Sequence, residues 1–350
     1  MNRKNICEIC TLIMGQSPDS KSYNKDKNGI PFYQGNADFG EKHPTPTVWC
    51  TAPKKIARKG DILISVRAPI GDMNIANEDC CIGRGLAAIR LNKSDIVDIN
   101  YLYHYLSATV EFLQEQGTGS TFKAINKTTL EGIEIPCPSI EKQKNIAKFI
   151  IEIKTSIQYK KAELVALNEL VKSRFIEMFG DPQNNNKQFP TKKLIDVVTL
   201  QRGHDLPVQN RDSHGSVPVY GSNGVLGFHT IAKCDRGIIT GRSGTIGEVY
   251  VSEEPFWPLN TTLYSNNTHG NNLIYLKYLL MFFNLKRFKS GAGVPTLNRN
   301  EFHGKEIMDV PIELQNEFAD FVKLIDKSKF VGYFTLNIFY VKSSHFHHPP

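Results

Sequence analysis

Gly60-Asp61-Ile62-Leu63-Ile64-Ser65-Val66-Arg67, followed by Ile70-Gly71, returns in altered form as Arg236-Gly237-Ile238-Ile239-Thr240-Gly241-Arg242, followed by Ile246-Gly247. That echo decides the fold, because other blocks recur around it in the same order. Ile30-Pro31-Phe32-Tyr33-Gln34-Gly35-Asn36 matches Val217-Pro218-Val219-Tyr220-Gly221-Ser222-Asn223, and Tyr101-Leu102 with Tyr105-Leu106 matches Tyr275-Leu276 with Leu279-Leu280. Gly117-Thr118-Gly119 matches Gly291-Ala292-Gly293. Ile140-Glu141 with Gln143, Ala147 and Phe149 matches Ile312-Glu313 with Gln315, Ala319 and Phe321. One such block arises by chance; a whole series in order points to duplication. A unit of roughly 170 residues is far longer than a solenoid repeat, so the chain reads as two tandem homologous domains.

Each copy reads as mixed α/β (α+β). Short β-branched and apolar runs at Asp61–Arg67, Leu86–Leu91, Gly237–Thr240 and Gly247–Val251 are punctuated by Gly, Pro and Asn, the pattern of strands and turns. Amphipathic helices are expected over Ile99–Gln116 and Leu273–Lys289, and closing strands at Ile133–Pro136 and Ile307–Pro311.

Beyond the first copy the pattern changes. Ser139 can cap a helix with Glu141 in its first turn, and no Gly or Pro follows until Gly180. Ile146, Ile150, Ile153, Ile157, Leu164, Leu167, Val171 and Met178 fall on one 3-4 spaced seam, interrupted only by Lys160 and Arg174. A heptad seam predicts a long helix supercoiled against a partner. At ~1.5 Å per residue it spans roughly 58 Å, about 17 base pairs at ~3.4 Å each. The expected organisation is a first domain over 1–140, the long coiled-coil helix over 141–180, a second domain over 181–312, and the start of a matching helix over 313–330. Val331-Gly332-Tyr333-Phe334-Thr335 reads as β-like, so 331–350 is expected to be an atypical tail in which the second helix stops short.

Composition narrows the class. Hydrophobic residues are 40% and charged residues 22% of 350, a globular balance, and the formal charge of +7 permits a polyanionic partner without demanding one. Seven cysteines at irregular spacing, with no secretory leader, favour free thiols in a reducing, cytoplasmic setting. No apolar run is long enough to span a bilayer. Cys7-Glu8-Ile9-Cys10 lacks a second pair at zinc-ribbon spacing, and Cys80-Cys81 is adjacent within a strand-like segment, so both read as strand thiols rather than metal ligands. His345, His347 and His348 read as tail residues. The Gly117–Lys123 segment follows a helix and lacks the Gly-Lys-Ser/Thr ending of a nucleotide-phosphate loop. An Asp/Asn-Pro-Pro-aromatic methyltransferase motif and a Gly-rich cofactor loop are both missing, and Asp181-Pro182 terminates a helix. No metal site and no catalytic residue is expected.

The Gly60–Arg67 block with Ile70-Gly71, the Pro138–Ala147 run and their counterparts at Ile239–Arg242, Thr245–Gly247 and Pro311–Ala319 resemble the specificity (S) subunits of type I restriction–modification systems, over about residues 6–330. The resemblance implies that each globular copy is a target recognition domain reading one half of a split site on double-stranded DNA. It implies that the helices pair antiparallel as a ruler and carry methyltransferase subunits. Motor–nuclease subunits can then join. S-adenosylmethionine, ATP and Mg²⁺ would belong to those partners, with no cofactor in this chain. A second helix ending near Phe330 departs from the family pattern; self-association through the central helix would replace the missing partner. Two other classes stay open: a stand-alone DNA-modifying enzyme, and a coiled-coil adaptor that binds only protein.

A bipartite reader needs phosphate contacts for affinity and base-edge contacts for specificity; Arg and Lys suit guanine, Asn and Gln suit adenine. Loops of the first copy offer Gln16, Ser17, Tyr33, Gln34, Asn36, Arg67, Arg84, Lys123 and Lys127. Those of the second offer Arg202, His204, Tyr220, Ser222, Asn223, Arg242, Ser243, Asn260, Asn298 and Arg299. The same residue types also serve as turn formers and solvated surface charges. Arg67 and Arg242, at one repeat position just past a strand, stand out either as DNA contacts or as a duplicated structural ion pair.

Overall fold

Strands whose two faces are both covered read as continuous apolar runs, and Ile62–Ser65 shows why. Side chains alternate across a sheet. Ile62 and Ile64 therefore enter a core shared with Tyr101, Leu102 and Leu106, while Leu63 enters another with Tyr33, Cys80 and Ile82. In this computed structural model the described residues are 2–117, 123–212, 214–291 and 293–344, with side chains as far as 335. Residues 118–122 and the terminal histidines lie outside them. The chain divides into two units, one built on Met1–Tyr159, the other on Lys160–Thr335. The boundary falls inside the helix that the sequence sets apart as a connector.

In the first unit Arg3–Asn5 pairs with Glu134–Pro136, closing the ends of the domain. An antiparallel sheet runs Cys10–Met14, Leu86–Leu91, Ile62–Ser65, Met73–Ile75. A second sheet runs Tyr23–Asn24, Trp49–Cys50, Ile30–Tyr33, Cys80–Ile82, Ile56–Ala57, and in it Ile30–Tyr33 lies parallel to Cys80–Ile82. The second unit repeats this plan. Thr191–Lys193 pairs with Glu306–Met308, and one sheet runs Thr199–Arg202, Thr262–Asn267, Gly237–Gly241, Val249–Ser252. The other runs Gly224–His229, Val217–Gly221, Trp257–Pro258, with the last pair again parallel. The expected first-copy helix is two pieces, Ile99–Ala108 and Val110–Glu115, parted at Thr109. Its counterpart stops at Phe283, because Asn284 turns left-handed at φ 58°.

A duplicated glutamine ties together the segments that lead into two helices of each unit. Gln143 is fully buried; it accepts from the Asp98 amide at 3.0 Å and donates to the carbonyls of Ile96 at 2.9 Å and Pro138 at 2.8 Å. Gln315 accepts from the Asn272 amide at 2.9 Å and donates to Asn271 Oδ1 at 2.7 Å and the Val310 carbonyl at 2.8 Å. Asp98 and Asn272 each cap the helix that follows.

The central helix covers Ile140–Phe179. Each of the ten seam positions from Ile146 to Met178 is shielded at least in part, with Ile153, Leu164 and Val171 buried. Within the second unit its partner is the helix that starts at Ile312. Val171, Phe175 and Phe179 share a core with Phe318, Val322 and Ile325. Arg174, an exception in the seam, bonds Glu317 at 3.0 Å, and Leu164 lies against Gly332. Residues early in one helix thus meet residues late in the other, and the pair is antiparallel.

The expected stop at Phe330 is corrected: the second helix runs Ile312–Ser344, so 331–344 is helical. Among its buried positions Gln315, Phe318, Val322, Ile325, Lys329 and Gly332 form a 3-4 seam that continues past 330. The apolar residues suggesting a strand, Val331, Tyr333 and Phe334, are exposed, as is Phe330. Gly332 marks a close approach, since a Cβ there would stand 3.1 Å from Leu164 Cδ2. Tertiary packing outweighs the low helix propensity of the segment.

Candidate nucleic-acid interface

Matching backbone hydrogen bonds align the two units residue by residue at one end of their sheets. Gly15 N donates to Leu86 O as Gly203 N does to Thr262 O, and Gln16 N to Ile82 O as His204 N does to Pro258 O. Gly83 N donates to Tyr33 O as Leu259 N does to Tyr220 O. Val66 N donates to Gly85 O as Arg242 N does to Thr261 O, and Ile125 N to Val66 O as Leu297 N does to Arg242 O. Gln16 therefore corresponds to His204, Ser17 to Asp205, Gln34 to Gly221, Asn36 to Asn223, Arg67 to Ser243 and Arg84 to Asn260. Arg242 corresponds to the core residue Val66. The equivalence expected between Arg67 and Arg242 is out by one, and a one-residue step along a strand turns a side chain to the other face.

In the first unit Gln34, Asn36, Arg67 and Arg84 come together around a cavity of about 190 Å³ whose wall includes Ser65. Arg67 and Arg84 are exposed, and among the described residues neither pairs with a carboxylate. Arg90 shows the contrast: its guanidinium meets buried Asp61 at 2.7 Å and is structural. Asn36 Nδ2 donates to Asp72 Oδ2 at 2.6 Å, which fixes its amide. Ser17 Oγ accepts from the Arg84 amide at 3.4 Å, with Gln16 exposed beside it. Lys123 is exposed where its carbonyl accepts from the Ala68 amide, close to Arg67. Lys127 pairs with Glu131 at 3.0 Å on a separate short helix. Tyr33 is a correction. It is fully buried with Leu63, Cys80 and Leu86, and burial drives its phenol well above the ordinary range. It is a core residue rather than a surface contact.

The second unit fills the same positions differently. Asn260 Nδ2 donates to Asp205 Oδ1, and Arg202 pairs with Asp205 at 3.6 Å. Arg242 is half-buried, its Nε donating to the Asn260 carbonyl at 2.9 Å. His204 sits between Trp257 and Tyr264, with ring centroids 6.3 and 5.7 Å away. Tyr220 is half-buried against Tyr250 and Phe256. Ser243 bridges by backbone to Thr296; Asn298 Oδ1 accepts from the Asn300 amide, and Arg299 donates to the Leu200 carbonyl at 3.3 Å. These last two serve local structure. Ser222 and Asn223 form the two-residue turn of a hairpin, with Gly221 opposite Gly224.

That hairpin carries residues the sequence reading passed over. Val225, Leu226 and Phe228 are 47, 52 and 47% exposed. Leu226 lies over Gly221, where a Cβ would meet its Cδ1 at 2.3 Å, so a side chain there would push Leu226 aside. The Asn223-Gly224 dipeptide between β-rich runs was the available signal.

Cys80 and Cys81 are buried strand residues whose thiols burial pushes up to about 12 and about 11. Among the described residues no cluster of His, Cys, Asp or Glu could hold a metal ion, and no helix is long and apolar enough to cross a membrane.

The family model for the type I restriction modification DNA specificity domain matches residues 1–169 and again 186–330. A putative type I restriction enzyme MjaX specificity subunit from Methanocaldococcus jannaschii is 49% identical over 152 residues, covering 43% of this chain and 36% of that protein. The type I restriction enzyme MjaIX specificity subunit of the same organism is 28% identical over 279 residues, covering 71% of this chain and 62% of that protein. The chain thus spans less than two thirds of the length of either relative. The crystal structure of a type I restriction–modification system S subunit from M. genitalium matches with a TM-score of 0.66 at 16% identity, covering 99% of this chain and 94% of that one, a likeness of fold.

Proposed function

The chain belongs to the type I restriction modification DNA specificity domain family, and on that premise we propose that it is the DNA sequence-specificity subunit of a type I restriction–modification complex. Each unit reads one half of a bipartite site. The paired helices set the spacing between the half-sites and dock methyltransferase subunits, which motor–nuclease subunits can join. The chain contributes recognition and no chemistry: S-adenosylmethionine, ATP and Mg²⁺ act in the partner subunits, in the prokaryotic cytoplasm.

One observation carries this reading. The two units share a scaffold down to individual backbone hydrogen bonds, yet the side chains at its sheet end differ at nearly every equivalent position. A scaffold held constant beneath a divergent surface is what two readers of different sequences require, because phosphate contacts only position a protein while base edges specify. An adaptor that binds only protein has no use for two such surfaces.

Footprinting of the full-length chain with its methyltransferase partner tests the proposal. Two protected tracts on one duplex, separated by an unprotected stretch and weakened steeply by salt, are expected. One continuous tract, or protection independent of sequence, would count against it. Methylation or cleavage by the purified chain alone would favour the enzyme alternative.

A further inference from the structure

The divergence between the two surfaces has a chemical direction. In the first unit two guanidinium groups, Arg67 and Arg84, that pair with no carboxylate among the described residues border one cavity. At the same positions the second unit has Ser243, too short to reach far, and Asn260, held by Asp205. Its cations nearby are engaged, Arg202 with Asp205 and Arg242 with the Asn260 carbonyl. What the second unit projects instead is the exposed Asn223 beside Val225 and Leu226 on a tight hairpin. The corresponding Asn36 is tied to Asp72.

Base edges in the major groove distinguish these chemistries. A guanidinium fork matches the O6 and N7 acceptors of guanine, an amide matches N6 and N7 of adenine, and apolar side chains contact the thymine methyl. We infer that the two half-sites differ in base chemistry. The first unit reads at least one guanine through Arg67 and Arg84, and the second reads an A·T pair through Asn223 with Val225 or Leu226. This rests on the proposal that the units are DNA readers, and it assigns the specificity-determining residues of each.

Selection of bound duplexes from a randomised library, by the full-length chain with its methyltransferase partner, tests it. A two-part consensus is expected. In Arg67→Ala and in Arg84→Ala, guanine preference in one half falls roughly 5- to 100-fold with the other half unchanged. Both residues are exposed, so these variants keep the fold. Arg84→Lys retains the charge and loses the fork, so it binds with near-original affinity and a guanine preference weaker than that of the arginine. Asn223→Ala relaxes adenine in the other half alone. A two-part consensus whose guanines are indifferent to both arginine variants overturns the assignment while leaving the specificity reading standing. A library that yields no two-part consensus overturns both.

Discussion

Replacing Gln143 with Ala removes the partner of one amide and two carbonyls, all part-buried, at Asp98, Ile96 and Pro138. A buried polar group left unpaired costs at least about 1 kcal/mol, so the three together cost about 3 kcal/mol. With a urea slope of roughly 2 kcal/mol/M this lowers the unfolding midpoint by about 1.5 M. Gln315→Ala removes the partner of the Asn272 amide, the Val310 carbonyl and Asn271 Oδ1, for a similar loss. The chain supplies its own reporters, because its two tryptophans, Trp49 and Trp257, fall one in each unit. Fluorescence in Trp257→Phe and Trp49→Phe backgrounds follows the units separately. Gln143→Ala should move the transition seen by Trp49 most, and Gln315→Ala that seen by Trp257. Gln143→Leu fills the space without restoring a hydrogen bond, so it should recover little. Losses well below about 1 kcal/mol, or full recovery by Leu, would refute the view that hydrogen bonding by this glutamine locks each unit.

Gly332→Leu forces a side chain against Leu164 and should cost roughly 1–3 kcal/mol, partly recovered by adding Leu164→Ala; urea unfolding followed at Trp257 measures both. Acidification should destabilise both units. Burial and then Lys154 hold His104 down to about 4, and burial and then Arg299 hold His303 below its ordinary value. An unfolded histidine titrates near ~6.5, so each contribution is complete above that pH and is lost on acidification, that of His104 as the pH falls toward 4. Midpoints at pH 7.5 and pH 5 should show the fall at Trp49, reduced in His104→Gln; an undiminished fall would exclude His104. Arg242→Ala should lower the slope of log affinity against log salt by about one unit as a phosphate contact. An unchanged slope would leave it as the support of the Asn260 loop alone.

The duplication was legible because its blocks sit where the scaffold is most constrained: strands buried on both faces, the paired glutamines, and the capped helices behind Asp98 and Asn272. The central seam was legible for the same reason, since buried apolar spacing is local. Phe175 and Phe179 escaped because they lie beside the 3-4 series, although they fill the core with Phe318. The second helix was misread past 330 because Lys329 and Gly332 occupy its seam while its apolar residues face outward. Strand pairing such as Arg3–Asn5 with Glu134–Pro136 links residues far apart in sequence and leaves no local signal. The surface residues were the hardest. Arg, Asn and Tyr in loops look alike in sequence, and only the register separates exposed Arg67 and Arg84 from half-buried Arg242 or from Tyr33 in the interior.

The claim that two like scaffolds read two different stretches of one duplex meets its most direct test in methylome sequencing of cells carrying this chain with its methyltransferase partner. The account predicts one split motif, two short unlike sequences at a fixed spacing, that vanishes when the chain is deleted. A single continuous motif, or methylation unaltered by the deletion, would contradict it.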